Sequence, residues 1–335
     1  MAPKETVVNV DPDTEAAHWI KQLPGYEGEV AICKAAFGPQ EDVPVEEEKV
    51  RNAMIRFAVL QLSGCAGCEV SLLNAGDWLE KHKLVYMPLV ISSYDLPEVD
   101  ILLVSGGVRS EEDAYNLRRA AGQASQVVAV GTCALSGGVA SLGDRDEVRD
   151  LFLAEQGRHN VPRLLPRCHP IDDVVGVDLY LPGCPPTPEL FMAVLSDPQA
   201  YVASKIVCQE CGRTKLKDMR PQHLVGFRSG QVLPNICLVN QGYLCLGTSV
   251  RGGCRAPCPR AGHPCVGCRG PSNMLIAKDA AEWMRKIRRV FDAMTDIPDA
   301  ELQQALLSPH LALFLFQFSD YAAGDRPPRP KEKVL

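Results

Sequence analysis

Alternating strand-like and helix-like patterns fill the chain between residues 55 and 195. Three stretches place apolar residues at helical spacing, at residues 69–82, 111–124 and 187–195. Strands that alternate with helices form a mostly parallel sheet covered on both faces, so the pattern predicts an α/β fold of the doubly wound class. The predicted strands are apolar runs bounded by turn residues, at 55–62, 84–90, 99–107, 126–135 and 177–186.

The regular pattern ends near residue 200. Residues 201–273 are rich in glycine, proline and cysteine, and we expect them to bury little hydrophobic core. Metal centres can hold such a segment together. A helical pattern returns after residue 273 and gives way to a charged, proline-rich tail. The predicted parts are an acidic extension at 1–50, an α/β domain at 51–200, a metal-bearing domain at 201–273, and a helical segment with its tail at 274–335.

The composition is that of an ordinary globular protein of 335 residues, with 46% hydrophobic residues and a net charge of −6. An acidic balance argues against general nucleic-acid binding. The first 50 residues hold 11 acidic residues against four lysines, so they form an appended acidic segment. No apolar run reaches the roughly 18 residues that a membrane span requires. Because the start of the chain shows no apolar leader pattern and no twin arginine, we expect a cytoplasmic protein.

Fourteen cysteines are unusual for the reducing cytoplasm, where clustered thiols bind metals more often than they form disulfides. Cys65 and Cys68 follow the first predicted strand, Cys133 follows the fourth, and Cys184 lies at the end of the fifth. Because the loops after parallel strands meet at one edge of the sheet, we expect these four thiols to converge there. Four convergent thiolates suit one iron–sulfur cluster or one zinc ion.

Eight further cysteines lie within 61 residues of the predicted metal-bearing domain. Their number allows two more sites of four thiolates each, which leaves only Cys33 and Cys168 outside the three sets. Zinc ions would stabilise a segment with a small core as well as iron–sulfur clusters would. The residues alone therefore leave open a zinc-stabilised interaction protein and a carrier of redox centres. The eight are Cys208, Cys211, Cys237, Cys245, Cys254, Cys258, Cys265 and Cys268.

Three motifs of the α/β part resemble the small subunit of [NiFe] hydrogenases in order and spacing: LSGCAGCEVSLL, VAVGTCALSGG and LPGCPPTPEL. The later CQEC, CLVNQGYLC and GGCRAPCPRAGHPCVGC resemble the C-terminal cluster domain of that family. The likeness is greatest to the cytosolic, methanogen viologen-reducing type associated with heterodisulfide reductase. It implies a flavodoxin-like first domain, followed by an irregular, cysteine-rich iron–sulfur domain.

The resemblance also implies three [4Fe-4S] clusters and their ligands. Cys208 and Cys258 stand where periplasmic members of the family have histidine and proline, so we expect four irons in the medial cluster and thiolate ligands throughout. The proximal cluster would lie on Cys65, Cys68, Cys133 and Cys184. The medial cluster would lie on Cys254, Cys258, Cys265 and Cys268. The distal cluster would lie on Cys208, Cys211, Cys237 and Cys245.

The resemblance places the nickel–iron centre on a partner large subunit, so this chain is expected to transfer electrons within an oxidoreductase. Its other partner would be an acceptor subunit, an iron–sulfur protein or flavoprotein such as one like heterodisulfide reductase. Glu69, next to Cys68, could contribute to proton movement at the interface with the large subunit, but we expect it to be an exposed residue at a helix start. A quinone-reductase-like cluster subunit is a further alternative, but such subunits have adjacent cysteines where this chain has CAGC, and they lack the C-terminal eight.

Overall fold

Seven strands are formed by the part of the chain that the structure describes. This computed structural model describes residues 54–76, 81–91, 95–144, 146–156, 162–197, 205–226, 231–272, 275 and 280–307. The predicted acidic extension with Cys33, and the predicted tail, lie outside these residues. The strands are β1 (Ile55–Gln61), β2 (His82–Tyr86), β3 (Val99–Ser105), β4 (Val108–Ser110), β5 (Ala124–Val130), β6 (Leu164–His169) and β7 (Leu179–Leu181).

The central sheet has five parallel strands in the order β2-β1-β3-β5-β7. Val59 of β1 pairs with Leu103 of β3, which pairs with Val128 of β5. The strand order reverses between β1 and β3, as it does in the flavodoxin-like fold, so the predicted fold class is confirmed. Strands β4 and β6 form a separate antiparallel pair that the sequence pattern did not predict.

Short helices connect and cover the strands. Helix α2 begins with a capping box, in which the Ser110 hydroxyl accepts from the Asp113 N–H and the Asp113 carboxylate accepts from the Ser110 N–H. Within the described residues, no helix is long and apolar enough to cross a membrane. The helices are α1 (Gly67–Leu73), α2 (Glu111–Ala121), α3 (Gly131–Ser136), α4 (Asp146–Gln156), α5 (Pro188–Ser196), α6 (Val207–Cys211), α7 (Pro257–Arg260), α8 (Ala280–Met294) and α9 (Asp299–Leu307).

Two apolar layers lie on opposite faces of the sheet because successive strand residues point to opposite sides. Leu60 packs in one layer with Leu117 of α2. Its neighbour Val59 packs in the other layer with Leu72 of α1 and Phe191 of α5. The loops at the carboxyl ends of the strands are thereby fixed by rigid elements on both faces, which positions the cysteines that follow the strands.

A third apolar cluster lies in the cysteine-rich part of the chain, which was expected to have little core. Trp283, Ile287 and Phe291 of α8 bury their side chains against Val207 and Leu246 of that part. The expectation was wrong because residues 201–273 bury side chains of their own in this cluster, among them Val239 and Leu246, and the amphipathic helix α8 completes it. Partly buried cysteines pack against this cluster, so the predicted metal ligands lie beside the core there.

Two predicted boundaries were wrong for local reasons. His82 was predicted to end a helix but begins β2, where its buried ring meets Phe57 edge-on and its Nε2 lies 3.0 Å from the Leu195 carbonyl oxygen. The fourth predicted strand was expected to reach Leu135 but ends at Val130. Gly131 has a φ of 79°, which extended strands do not adopt, and the chain turns there into α3.

Candidate metal centres

The four cysteines predicted at the sheet edge lie together after β1, β5 and β7. Cys68 belongs to α1, Cys133 to α3, and Cys184 follows β7, while Cys65 lies in the exposed loop before α1. Burial raises the pKa of Cys68 well above its ordinary value, and the nearby Glu69, Cys133, Cys184 and Cys65 raise it further. Four thiols from three separate loops are therefore close enough to interact.

The chemistry of this group fits a cationic metal core. Burial raises the pKa of Cys184 to about 12, and Cys133, Cys268 and Cys65 add to the increase. A thiol with such a pKa stays protonated at neutral pH unless a cation stabilises its thiolate. Backbone N–H groups of Ala140 and Val139 donate to Cys133 and oppose the larger pKa increase that burial causes. Such donors are typical of iron–sulfur sites.

Gly131 allows the β5 loop to approach the Cys68 thiol. A Cβ atom at this position would lie only 2.6 Å from the Cys68 Sγ and 3.4 Å from the Gly183 carbonyl oxygen. The next residue, Thr132, donates its N–H to the same oxygen at 2.9 Å and so joins the β5 loop to the β7 loop. The close approach of these loops depends on the missing side chain.

If the sheet-edge group binds a four-iron cluster, we expect Gly131→Ala to prevent its assembly. The new methyl group would displace the Cys68 thiol, and a φ of 79° would cost alanine about 1–2 kcal/mol. Iron content should then fall by about four atoms per chain, as for the loss of one four-iron cluster. Gly76→Ala is the matched control, since a Cβ atom there meets nothing within 4 Å. Full iron in the Gly131→Ala protein would contradict the assigned role of this glycine.

Glu69 is buried, so the prediction of an exposed helix-start residue was wrong. Only 2% of its surface is exposed, and its Oε1 accepts a hydrogen bond from the Ser105 hydroxyl at the end of β3. Its Oε2 has no hydrogen-bond partner among the described residues. The carboxylate turns inward between α1 and β3, beside Cys68, because helix α1 packs directly on this face of the sheet.

A second group consists of Cys208, Cys211, Cys237 and Cys245, which line one cavity. Burial raises the pKa of Cys245 to about 11, against backbone N–H donors from Cys265 and Gly247, while Cys237 and Cys211 add to the increase. Four thiols from three separate segments of the chain again lie together at a site with backbone N–H donors.

A third group consists of Cys254, Cys258, Cys265 and Cys268. Burial raises the pKa of Cys268, and Cys254 and Cys258 raise it further. The members differ in burial, since Cys258 is exposed in α7 whereas Cys265 is only 7% exposed. The Cys258 side of this group therefore faces solvent, whereas the Cys265 side packs in the hydrophobic core.

The three groups are linked by hydrogen bonds between cysteines. The Cys184 N–H donates to the Cys268 thiol, which joins the sheet-edge group to the third group. The Cys265 N–H donates to the Cys245 Sγ at 3.3 Å, which joins the third group to the second. The group of Cys254 to Cys268 therefore lies between the other two.

Two residues that the sequence did not single out hold this junction. Thr132 Oγ1 lies 2.8 Å from the Cys268 carbonyl oxygen. Arg269 is only 3% exposed, and its guanidinium donates to the Pro182 carbonyl oxygen at 2.7 Å. Against the larger increases from burial, the Arg269 charge lowers the pKa of both Cys254 and Cys268. In the sequence, the position of Arg269 directly after the predicted ligand Cys268 was the signal for this role.

Cys168 lies outside the three groups. It is fully buried, and burial raises its pKa to about 12.

Among the residues that the structure describes, no three His, Cys, Asp or Glu side chains lie close enough to bind a single metal ion. Ligands of an iron–sulfur cluster are spaced more widely, because each thiolate binds a different iron atom.

A family model matches the sheet-edge group and its surroundings. The model is the "NADH ubiquinone oxidoreductase, 20 Kd subunit" family, and it covers residues 65–197. The match includes the predicted proximal ligands and ends before the cysteine-rich part. It therefore accounts for the α/β part of the chain but leaves the eight later cysteines unexplained.

Relatives from methanogens extend the match across both parts. A subunit of the vhu F420-non-reducing hydrogenase of Methanocaldococcus jannaschii is 34% identical over 265 residues, which cover 73% of this chain and 91% of the relative. The chain belongs to the hydrogenase small-subunit family. The subunit of the same name from Methanococcus voltae is 34% identical over 66% of this chain and 84% of its own. The resemblance inferred from the motifs is thus confirmed, and this hydrogenase small subunit is part of an oxidoreductase complex.

A solved structure also aligns with this hydrogenase small subunit. One chain of an NAD+-reducing [NiFe]-hydrogenase is 34% identical, with a TM-score of 0.39, over 43% of this chain and 90% of that one. Membership of the family implies a large-subunit partner and an electron-transfer role.

Proposed function

We propose that the chain transfers electrons between its large-subunit partner and an acceptor protein through three [4Fe-4S] clusters. The observation that carries this proposal is that three four-thiol groups are connected in series, by the Cys184–Cys268 and Cys265–Cys245 hydrogen bonds. These contacts bring neighbouring four-thiol groups next to each other, as the transfer of electrons from site to site requires.

The proposed ligands follow these groups. The proximal cluster is held by Cys65, Cys68, Cys133 and Cys184, the medial cluster by Cys254, Cys258, Cys265 and Cys268, and the distal cluster by Cys208, Cys211, Cys237 and Cys245. When bound, such clusters accept and release single electrons at potentials set by charge, hydrogen bonds and solvent exposure. The order of the three groups supports entry of electrons at the sheet edge and exit at the distal group.

Residues of this chain set the environment of each site. The N–H donors to Cys133 and Cys245 stabilise thiolate charge, and buried Arg269 places a fixed positive charge beside Cys254 and Cys268. Both effects favour the more negative, reduced state of the site that they contact. The exposed Cys65 loop supports a proximal position next to the large subunit, where hydrogen would be split.

The test is the metal and sulfide content of the anaerobically purified chain. We expect brown protein with about twelve iron atoms and a similar amount of acid-labile sulfide, four of each for each of three clusters. A colourless protein with two or three zinc ions and no sulfide would refute electron transfer and favour the zinc-stabilised alternative. An iron content of about four atoms per chain would mean that only the sheet-edge group binds a cluster.

A further inference from the structure

The cysteine-rich part of the chain has the opposite charge to the rest. Residues 201–272 contain ten Lys and Arg residues against two acidic residues, a net charge of +8 in a chain of net charge −6. The other residues therefore carry −14. Two four-thiolate clusters in this part would add only about −2 each in their oxidised state, so the segment stays positive with clusters bound.

An exposed lysine lies beside the second group of cysteines, which we call the distal group (Cys208, Cys211, Cys237 and Cys245), and another exposed lysine follows it in the chain. Lys215 lines the same cavity as Cys208, Cys211 and Cys237, and its side chain is exposed. Lys217 is exposed two residues later. Among the described residues, no ion pair engages either lysine. Both side chains are exposed near the end of the proposed electron path.

The loop that carries these lysines is held firmly to the distal group. The side-chain amide of fully buried Asn240 accepts from the Leu216 N–H at 3.0 Å and donates to the carbonyl oxygens of Leu216 and Met219 at 2.8 and 2.7 Å. The Asn240 N–H also donates to the Cys237 thiol. One residue thus anchors both a distal ligand and the basic loop, which keeps the lysine backbone at a fixed place near the cluster site.

A second loop adds a charge to the same surface. The Arg213 guanidinium donates to the Pro259 carbonyl oxygen at 2.6 Å, and exposed Arg260 donates to the Glu210 carbonyl oxygen at 3.1 Å. These bonds join the α6 and α7 loops side by side. We call the exposed surface formed by Lys215, Lys217 and Arg260 the basic rim. Leu216, which is 38% exposed, contributes an apolar contact within it.

Charge compensation of the clusters alone does not account for the basic rim. The buried guanidinium of Arg269 already lies beside medial ligands, and Arg251 is buried as well. Exposed lysines are screened by water and salt, so they stabilise an internal charge weakly. Their position around the electron exit favours a role in association, where surface charge raises the rate of encounter.

We propose that the basic rim docks the acidic face of an electron-acceptor protein next to the distal group. This inference rests on the proposed electron-transfer function and adds the chemistry of the acceptor: a negatively charged surface around its own redox centre. Docking at Lys215, Lys217 and Arg260 would bring that centre to the cavity of the distal cysteines. Opposite charges would orient the two proteins before contact.

The test compares two double charge reversals in the complete hydrogenase complex. An acidic ferredoxin with two [4Fe-4S] clusters serves as the probe, and its reduction by hydrogen is followed at low ionic strength. We expect Lys215→Glu/Lys217→Glu to lower the second-order rate constant about tenfold or more. The difference should vanish near 0.5 M salt, where screening acts over roughly 4 Å. Lys81→Glu/Lys83→Glu, at the start of β2, is the matched control and should retain the original rate.

The readouts separate this inference from the function on which it rests. Reduction of methyl viologen, a small cation that needs no docking, should not fall in either variant. Full iron content with equal ferredoxin rates in both variants would refute the docking surface alone, whereas low iron in the unmodified complex would refute the proposed function. If the reversal lowers the iron content, Lys215→Gln/Lys217→Gln provides the same comparison with a smaller charge change.

Zero-length carboxyl–amine cross-linking identifies what covers the rim. We expect Lys215 and Lys217 to link to acidic residues of the ferredoxin probe, with the links lost at high salt. Links to the acidic residues of segment 1–50 of this chain instead would overturn the proposal, because the rim would then be an internal contact.

Discussion

Replacing Cys65 by serine is expected to abolish hydrogen-dependent reduction of any acceptor, with a loss of at least about 100-fold in rate. Cys65 is the most exposed thiol of the sheet-edge group, and the serine hydroxyl is a poor substitute for a thiolate on iron. The medial and distal groups share no residue with this loop, so they should keep their clusters. Iron loss should therefore be confined to the sheet-edge group, from about twelve to about eleven atoms per chain if only the unligated iron leaves, and to about eight if the whole cluster is lost.

Cys168→Ala is the control for this experiment. Cys168 is a buried thiol of the same α/β part but lies outside the three groups, so we expect this variant to keep its iron and its rate. Unchanged hydrogen-dependent reduction in the Cys65→Ser complex would contradict the proximal assignment. Loss of all iron from it would mean that the three sites do not fill independently.

The convergence of the sheet-edge cysteines could be predicted because it depends on topology alone. Parallel strands deliver their following loops to one edge, and the sequence marked β1, β5 and β7 as strands with Cys65, Cys133 and Cys184 just beyond them. The boundaries of those strands were less predictable. Val130 ends β5 because Gly131 adopts a positive φ, and a glycine within an apolar run does not by itself reveal its conformation.

The environment of the cysteines could not be predicted, because it depends on contacts between residues far apart in sequence. The Arg269 bond to Pro182 and the Thr132 contact with Cys268 both join the sheet edge to the cysteine-rich part. The burial of Glu69 likewise depends on how α1 packs on β3. Helical spacing places Glu69 at the start of α1, but only the packed structure shows which way its carboxylate points.

Helix packing explains how the cysteine-rich part forms a hydrophobic core beside its proposed metal sites. Helix α8 contributes Trp283, Ile287 and Phe291 to the cluster in which Cys265 is buried. The apolar packing excludes water from one side of the medial group, while α7 leaves Cys258 exposed on the other side. The two cysteines should therefore respond differently to substitution, even though both are proposed to bind the same cluster.

Cys258→Ala is expected to convert the medial cluster from four irons to three. The iron bound by an exposed thiolate loses its ligand and can leave to solvent, while the other three ligands retain theirs. Iron content should fall from about twelve to about eleven atoms per chain, and the oxidised protein should gain the paramagnetic signal of a three-iron cluster. Electron paramagnetic resonance of the air-free, oxidised complex is the measurement.

Cys265→Ala provides the contrast, because its thiol is buried in the core. Removal of the thiol leaves an iron without a ligand where solvent does not reach, so we expect the loss of the whole medial cluster, to about eight irons. A Cys258→Ala protein with all its iron and no new signal would show that Cys258 is not a ligand. A three-iron signal that arises from Cys208→Ala and not from Cys258→Ala would fit an altered distal cluster and would leave Cys258 without a ligand role.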